Sequence, residues 1–243
     1  MSIRKSLLKS GLAAACTLAL ASVMAPAASA STLAPDERAE LTSFLTEYSV
    51  PADTQATLLS ELEAGELWDS MRPDASAVTT SQEIVGDAVQ VVARFADGSV
   101  GVSSVEQGVE RPAGTISPRA INGCTATSSG TTRIRTNCDV TYTTGVITMH
   151  FTANYRWSYR SASSTYVGSA QIEAANSPRI TAIGMSASDP KVEIVRRIAA
   201  TGAPAVARAY SQVTIAGVLS STAEMKLIVP IGSTTLAYIE AHF

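Results

Sequence analysis

Two periodicities divide the chain. Between residues 35 and 72 apolar positions recur at helical spacing: Leu41, Phe44, Leu45 and Tyr48 fall at i, i+3, i+4 and i+7, one stripe along a helix. Pro35, Asp36 and Glu37 suit its first turn, because proline lacks the amide that would be unsatisfied there and acidic groups favour the positive end of the helix dipole. Ser49 to Pro51 breaks the stripe. A second helix is predicted from Ala52, with Leu58, Leu59 and Leu62 on one side and Gly65 as its stop. Two short helices joined this tightly cannot bury both stripes alone, so they are expected to dock on the rest of the chain. Trp68, which follows directly, is the expected anchor for that docking.

Further on the period falls to two. The stretch DAVQVVARFADGSVGVSSVEQ reads as a hairpin turning at Ala96-Asp97-Gly98, with Val89, Val91, Ala93 and Phe95 on one predicted face. Pro112, Gly114 and Pro118 then mark a linker. From Arg119 short alternating runs predict nine strands, over 120–126, 133–141, 146–159, 166–174, 179–186, 191–199, 206–215, 225–229 and 234–240. The predicted protein is therefore mainly β. Residues 31–110 form a small two-helix plus hairpin module, 111–118 a linker, and 119–243 an antiparallel β-sandwich or barrel.

The start of the chain changes the compartment. Arg4, Lys5 and Lys9 precede an apolar run from Gly11 to Met24, and Ala28-Ser29-Ala30 is a small-residue cleavage site, so residues 1–30 read as a signal peptide. A lipid anchor at Cys16 is the other reading, but only six uncharged residues separate Lys9 from Cys16. Cleavage takes the formal charge from −3 to −6, leaving 15 Lys plus Arg against 21 Asp plus Glu. That balance argues against nucleic acid as a partner, since neutralising phosphates needs a concentrated basic surface. No later apolar run reaches the roughly 18 residues that would cross a bilayer, so no membrane association is expected after cleavage. The expected location is extracellular.

Export makes a disulfide between Cys124 and Cys138 the default. Folding the chain back at Ser128-Ser129-Gly130-Thr131 sets the two cysteines opposite each other on neighbouring strands, at Cα separations of roughly 4.5 to 5.5 Å. A loop of this size stabilises by roughly 3 kcal/mol in the chain-entropy description.

Candidate chemistry centres on VITMHFTANYRWSY, residues 146–159. His150 falls on its polar parity without an acid beside it in sequence, and reads as a solvated strand-face histidine. The chain has no zinc-site spacing, nucleophile turn or cofactor fingerprint, so no metal, cofactor or catalytic residue is assigned. Asn154, Tyr155, Arg156, Trp157 and Tyr159 form the richest candidate ligand surface, because aromatic faces stack on sugars and interleaved polar groups hydrogen-bond to them. Against that, Tyr155, Trp157 and Tyr159 share the parity of Ile147 and Phe151, which points them at the core. Glu173 and Glu193 are the carboxylates to watch for glycoside hydrolysis, which needs only a suitably spaced pair.

The order of an L-x-x-F-L-x-x-Y helix, a second helix running into ELEAGELWDS, the turn VARFADGSV and an N-G-C opening a cysteine-paired β region resembles a group of secreted proteins of actinomycete type. ELWDS and RFADGSV carry the likeness, which spans most of residues 31–243. It implies export and this domain order, and attaches no activity. The expected function is therefore non-enzymatic binding of an extracellular ligand, carbohydrate or protein, with a polysaccharide hydrolase as the alternative.

Overall fold

A computed structural model describes residues 33–110, 123–158, 168–215, 219–231 and 237–242 of the chain. The expected signal segment, the linker at 111–118 and Tyr159 lie outside the described residues.

Both helices form where their stripes predict. Helix α1 spans Pro35–Glu47 and buries Leu41 and Leu45; α2 spans Ala52–Glu63 and buries Leu58, Leu59 and Leu62. Thirteen strands follow among the described residues: β1 Thr79–Val85, β2 Ala88–Arg94, β3 Val100–Glu106, β4 Val109–Glu110, β5 Thr125–Ser129, β6 Thr132–Thr143, β7 Ile147–Ser158, β8 Ala170–Ala182, β9 Met185–Ala187, β10 Lys191–Arg196, β11 Ala205–Ile215, β12 Leu219–Val229 and β13 Tyr238–His242. The first sheet runs β1-β2-β3-β6-β7-β8, with β5 lying end to end with β3 along one edge of β6 and β4 beside β5. The second runs β10-β11-β12-β13, with β9 continuing beside β11. All pairs are antiparallel except β4 with β5.

The two sheets face each other as a sandwich, with a corner where the chain leaving β10 bonds back to β8: Ile172 N–H donates to Arg197 O and Ala199 N–H to Ala170 O, both at 2.9 Å. Strand β7 shows how the sheets pack. Ile147, Met149, Phe151, Ala153, Tyr155 and Trp157 are all buried, and the residues between them as far as Arg156 are not. Their partners across the core include Met225 and Leu227 of β12 and the small Ala205, Ala207 and Ala209 of β11, which admit the large rings.

The hairpin β2–β3 departs from its predicted pattern. Val89 and Val92 are buried, on opposite parities, where one face of Val89, Val91, Ala93 and Phe95 was expected. The helices explain it. Arg94 donates to Tyr48 O at 2.6 Å and Gln90 to Tyr48 Oη at 3.4 Å, so α1 covers the face carrying Gln90, Val92 and Arg94, and the strand is enclosed from both sides. Two glycines let the helices come this close: a Cβ on Gly98 would sit 2.5 Å from Thr54 Cγ2, and one on Gly145 2.5 Å from the Phe44 ring.

Trp68 is fully buried and its indole N–H donates to Leu58 O at 2.7 Å, the anchoring role expected of it. The segments ELWDS and RFADGSV meet here. Asp69 N–H donates to Asp97 Oδ2 at 2.7 Å, Asp97 N–H to Asp69 Oδ2 at 3.3 Å, Ser99 N–H to Asp97 Oδ1 at 2.8 Å and Ser70 N–H to Ser99 Oγ at 3.0 Å. Side chains thus cap the short helical turn Asp69–Met71 and the hairpin turn at once.

Elsewhere strands extend past their predicted limits. Predicted runs 166–174 and 179–186 merge over 170–182 into one continuous β8, while 185–186 fall in β9 on the other sheet and 166–167 lie outside the described residues. Ser177 takes φ +52° in an irregular ladder and Pro178 sits where β8 has become a sheet edge, so its missing amide costs no ladder bond. The ladder also passes from β3 into β6, Val105 facing Val140, so strands on both sides of residues 111–118 share one sheet.

Asp97→Ala leaves the Asp69 and Ser99 amides without their acceptor. The expected loss of stability is about 1–3 kcal/mol, read as a lowered urea midpoint at unchanged slope.

Candidate functional site

The outer face of β6, β7 and β8 gathers His150, Asn154, Arg156 and Glu173 from the residues singled out by sequence. On the β6–β7 side its geometry is set by an irregularity beside the disulfide. The turn at Gly130-Thr131 pairs Ser129 with Thr132 and Thr125 with Thr136, a register that would carry Cys124 to Asn137. Asn137 instead takes φ +56° and bulges out, which brings Cys138 opposite Cys124 at a Cα separation of 4.0 Å, and the two are disulfide-bonded as expected. The same extra residue shifts the register between β6 and β7. Asn154 closes the gap by accepting the Asn137 N–H on its Oδ1 at 2.7 Å, so this candidate ligand residue holds the bulge.

Tyr155 and Trp157 face inward. Tyr155 is fully buried, its hydroxyl donates to Glu106 O at 3.3 Å, and burial pushes its phenol above the ordinary range. Trp157 stacks on it with ring centroids 5.9 Å apart, and the buried Arg135 guanidinium lies 5.0 Å from the indole centroid. Neither ring is offered to solvent as a stacking platform. Arg156 points the other way, donating to Gln171 Oε1 at 2.8 Å and lying 3.3 Å from Glu173. It is the centre of a row of directly opposed residues on four neighbouring segments: Ile134, Arg156, Gln171 and Ile198. Ile198 is 61% exposed, and Val195 nearby in sequence is also exposed.

His150 corrects the expectation of a solvated histidine without an acid. Its Nε2 lies 2.9 Å from Asp139 Oδ1 and its side chain is 19% exposed. Sequence could not show the pair, because Asp139 lies on β6 and reaches it only through the β6–β7 ladder. Glu106, which no sequence signal marks, joins them from the end of β3: its carboxylate accepts the Asp139 N–H at 2.9 Å. Burial, reinforced by the Asp139 and Asp87 charges and opposed by hydrogen bonds from the Asp139 and Cys124 backbone, raises the Glu106 carboxyl above the ordinary carboxylate range.

The arrangement is poorly disposed for general-base chemistry. Nε2 is engaged by Asp139, while Nδ1 is buried with no hydrogen-bond partner among the described residues, so neither ring nitrogen faces a substrate. The candidate carboxylates Glu173 and Glu193 stand on different sheets, Glu173 paired with Arg156 and Glu193 with Arg208. Arg208 also reaches Glu224 at 2.9 Å. Against the upward pull of burial, Lys226 and Arg208 hold Glu224 below the ordinary range. Among the described residues no group of three or more His, Cys, Asp and Glu side chains is placed to share a metal ion, and no helix is long and apolar enough to cross a membrane.

No protein-family model, curated protein or solved structure matches the chain.

The raised Glu106 carboxyl has a sign that can be checked. Its folded pKa lies above the unfolded value, so the folded chain binds more protons through the interval between them and loses stability as pH rises through it. Glu106→Gln keeps an acceptor for the Asp139 amide and removes the titration. Urea midpoints of the variant should gain on those of the parent chain as pH rises from about 4.3, the ordinary glutamate value, and the gain should level off above the folded pKa.

Proposed function

We propose that this chain is an exported, non-catalytic binding protein that presents the outer face of β7 and β8, centred on Arg156, to an extracellular protein. Export is supported by the amino-terminal sequence pattern and by the Cys124–Cys138 disulfide. The observation that carries the binding reading is the row Ile134, Arg156, Gln171 and Ile198. An exposed isoleucine across Gln171 from an arginine already oriented by Gln171 and Glu173 has the composition of a protein interface, where aromatic and apolar anchors and arginine are enriched and less entropy is lost by a side chain held in place beforehand. Burial of Tyr155 and Trp157 removes the stacking surface that a carbohydrate would use, which favours protein over sugar.

The hydrolase alternative has less support. Its two carboxylates would have to act from separate sheets while each is engaged by an arginine.

Capture from culture medium on immobilised protein tests the proposal, with Arg156→Ala combined with Ile198→Asp as the comparison. Both positions are exposed, so the variant should melt with the parent chain. A protein bound by the parent chain should bind the variant at least about tenfold more weakly. Equal binding by the two forms, or the absence of any bound protein, would overturn the assignment.

A further inference from the structure

Strand β1 is the free edge of the first sheet. It pairs with β2 on one side, no strand among the described residues pairs with the other, and all seven of its residues are exposed. Such an edge presents a row of main-chain donors and acceptors ready for another strand, and proteins ordinarily protect it with charge, proline or a bulge. Here Glu83 is the single charge in the sequence TTSQEIV, with no proline, and the β1–β2 register runs unbroken from Thr79 to Val85. Ile84 is 77% exposed and Val85 50% exposed. Ile84 faces Val89 across the ladder, on the sandwich side of the sheet. The second sheet meets the first chiefly at β3, β6, β7 and β8, so β1 overhangs it and Ile84 stands exposed among the described residues.

The chemistry of the strand is palindromic. Two β-branched residues, Thr79 and Thr80, precede the small polar Ser81; Gln82 is central; polar Glu83 follows, then the β-branched Ile84 and Val85. We propose that β1 pairs antiparallel with β1 of a second copy of this chain, with Gln82 on the two-fold axis. In that register Gln82 faces Gln82, Ser81 faces Glu83, Thr80 faces Ile84 and Thr79 faces Val85. Every β-branched side chain meets another, which is the favoured cross-strand pairing, and the two Glu83 carboxylates avoid direct opposition. A two-fold contact requires a patch complementary to itself, and the palindrome supplies that property, which an unrelated peptide partner would not need. The pairing satisfies the open edge and covers Ile84. It uses a surface separate from the Arg156 row and does not depend on it.

Sedimentation velocity of the purified protein across the micromolar range tests the contact. The parent chain should show a concentration-dependent dimer. Ile84→Lys should weaken it at least about tenfold, since a charge replaces an apolar contact twice per dimer. Thr80→Glu added to Ile84→Lys should restore most of the affinity, because this register sets each lysine opposite a glutamate of the other copy. Both positions are exposed, and near-ultraviolet circular dichroism should match the parent chain. A monomer at every concentration, or a dimer indifferent to Ile84→Lys, would overturn the proposal; failure of the charge pair to restore association would overturn the register on which it rests.

Discussion

Strand β6 is longer than any single neighbour on its first edge, and the rest of the fold follows from how that edge is filled. Backbone donors and acceptors left unpaired in a buried sheet are costly, so twelve residues of strand need partners along their length. Strand β5 supplies them for the first part and β3 for the last, with the bulge at Asn137 between the two. The hairpin that delivers β3 is therefore part of the sheet rather than a separate body leaning on it. The helices, which cannot bury their stripes by themselves, complete the arrangement by covering that hairpin from outside.

This division explains where polar side chains are spent. At the junction of β3, β5 and β6 the ladder changes partner, and Asn154, Glu106, Asp139 and His150 collect there to satisfy one another and the displaced amides. At the far end the Asp69–Asp97 exchange does the same for the turns that meet under α2. Residues that look reactive in isolation are in both places filling gaps between segments, and Arg156 stands apart from them because its neighbours orient it without burying it.

What the sequence discloses follows from the same physics. Helices α1 and α2 and the parity of β7 are legible because each buries one face, and burial of one face is what periodicity records. Strand β1 leaves no such trace, since all its residues are exposed and neither parity is apolar. Strand β12 begins at Leu219 rather than near residue 225 for a related reason: Ser220, Ser221 and Thr222 carry no apolar alternation, and only the partner strand β11 makes them a ladder. The disulfide is readable from turn position, whereas the bulge that aligns it is not, because Asn137, a residue type that tolerates positive φ, sits inside a run that otherwise reads as an unbroken strand. Of the proposed binding face, Asn154 and Arg156 are legible by parity; the Glu106, Asp139 and His150 cluster is not, because it joins three strands that only the tertiary ladder brings together.

The disulfide also shortens the path by which the sheet assembles. Val105 and Val140 face each other across β3 and β6 although thirty-five residues separate them along the chain. Cys124 and Cys138 are joined by a hairpin that needs only local contacts, and once they are linked the route between those valines contracts to about 22 residues, lowering the loop-closure entropy of the longer-range pairing by about 0.4 kcal/mol. Oxidation therefore biases chain topology by about twofold towards an order of assembly in which the outer hairpin closes first and the amino-terminal strands are drawn in afterwards.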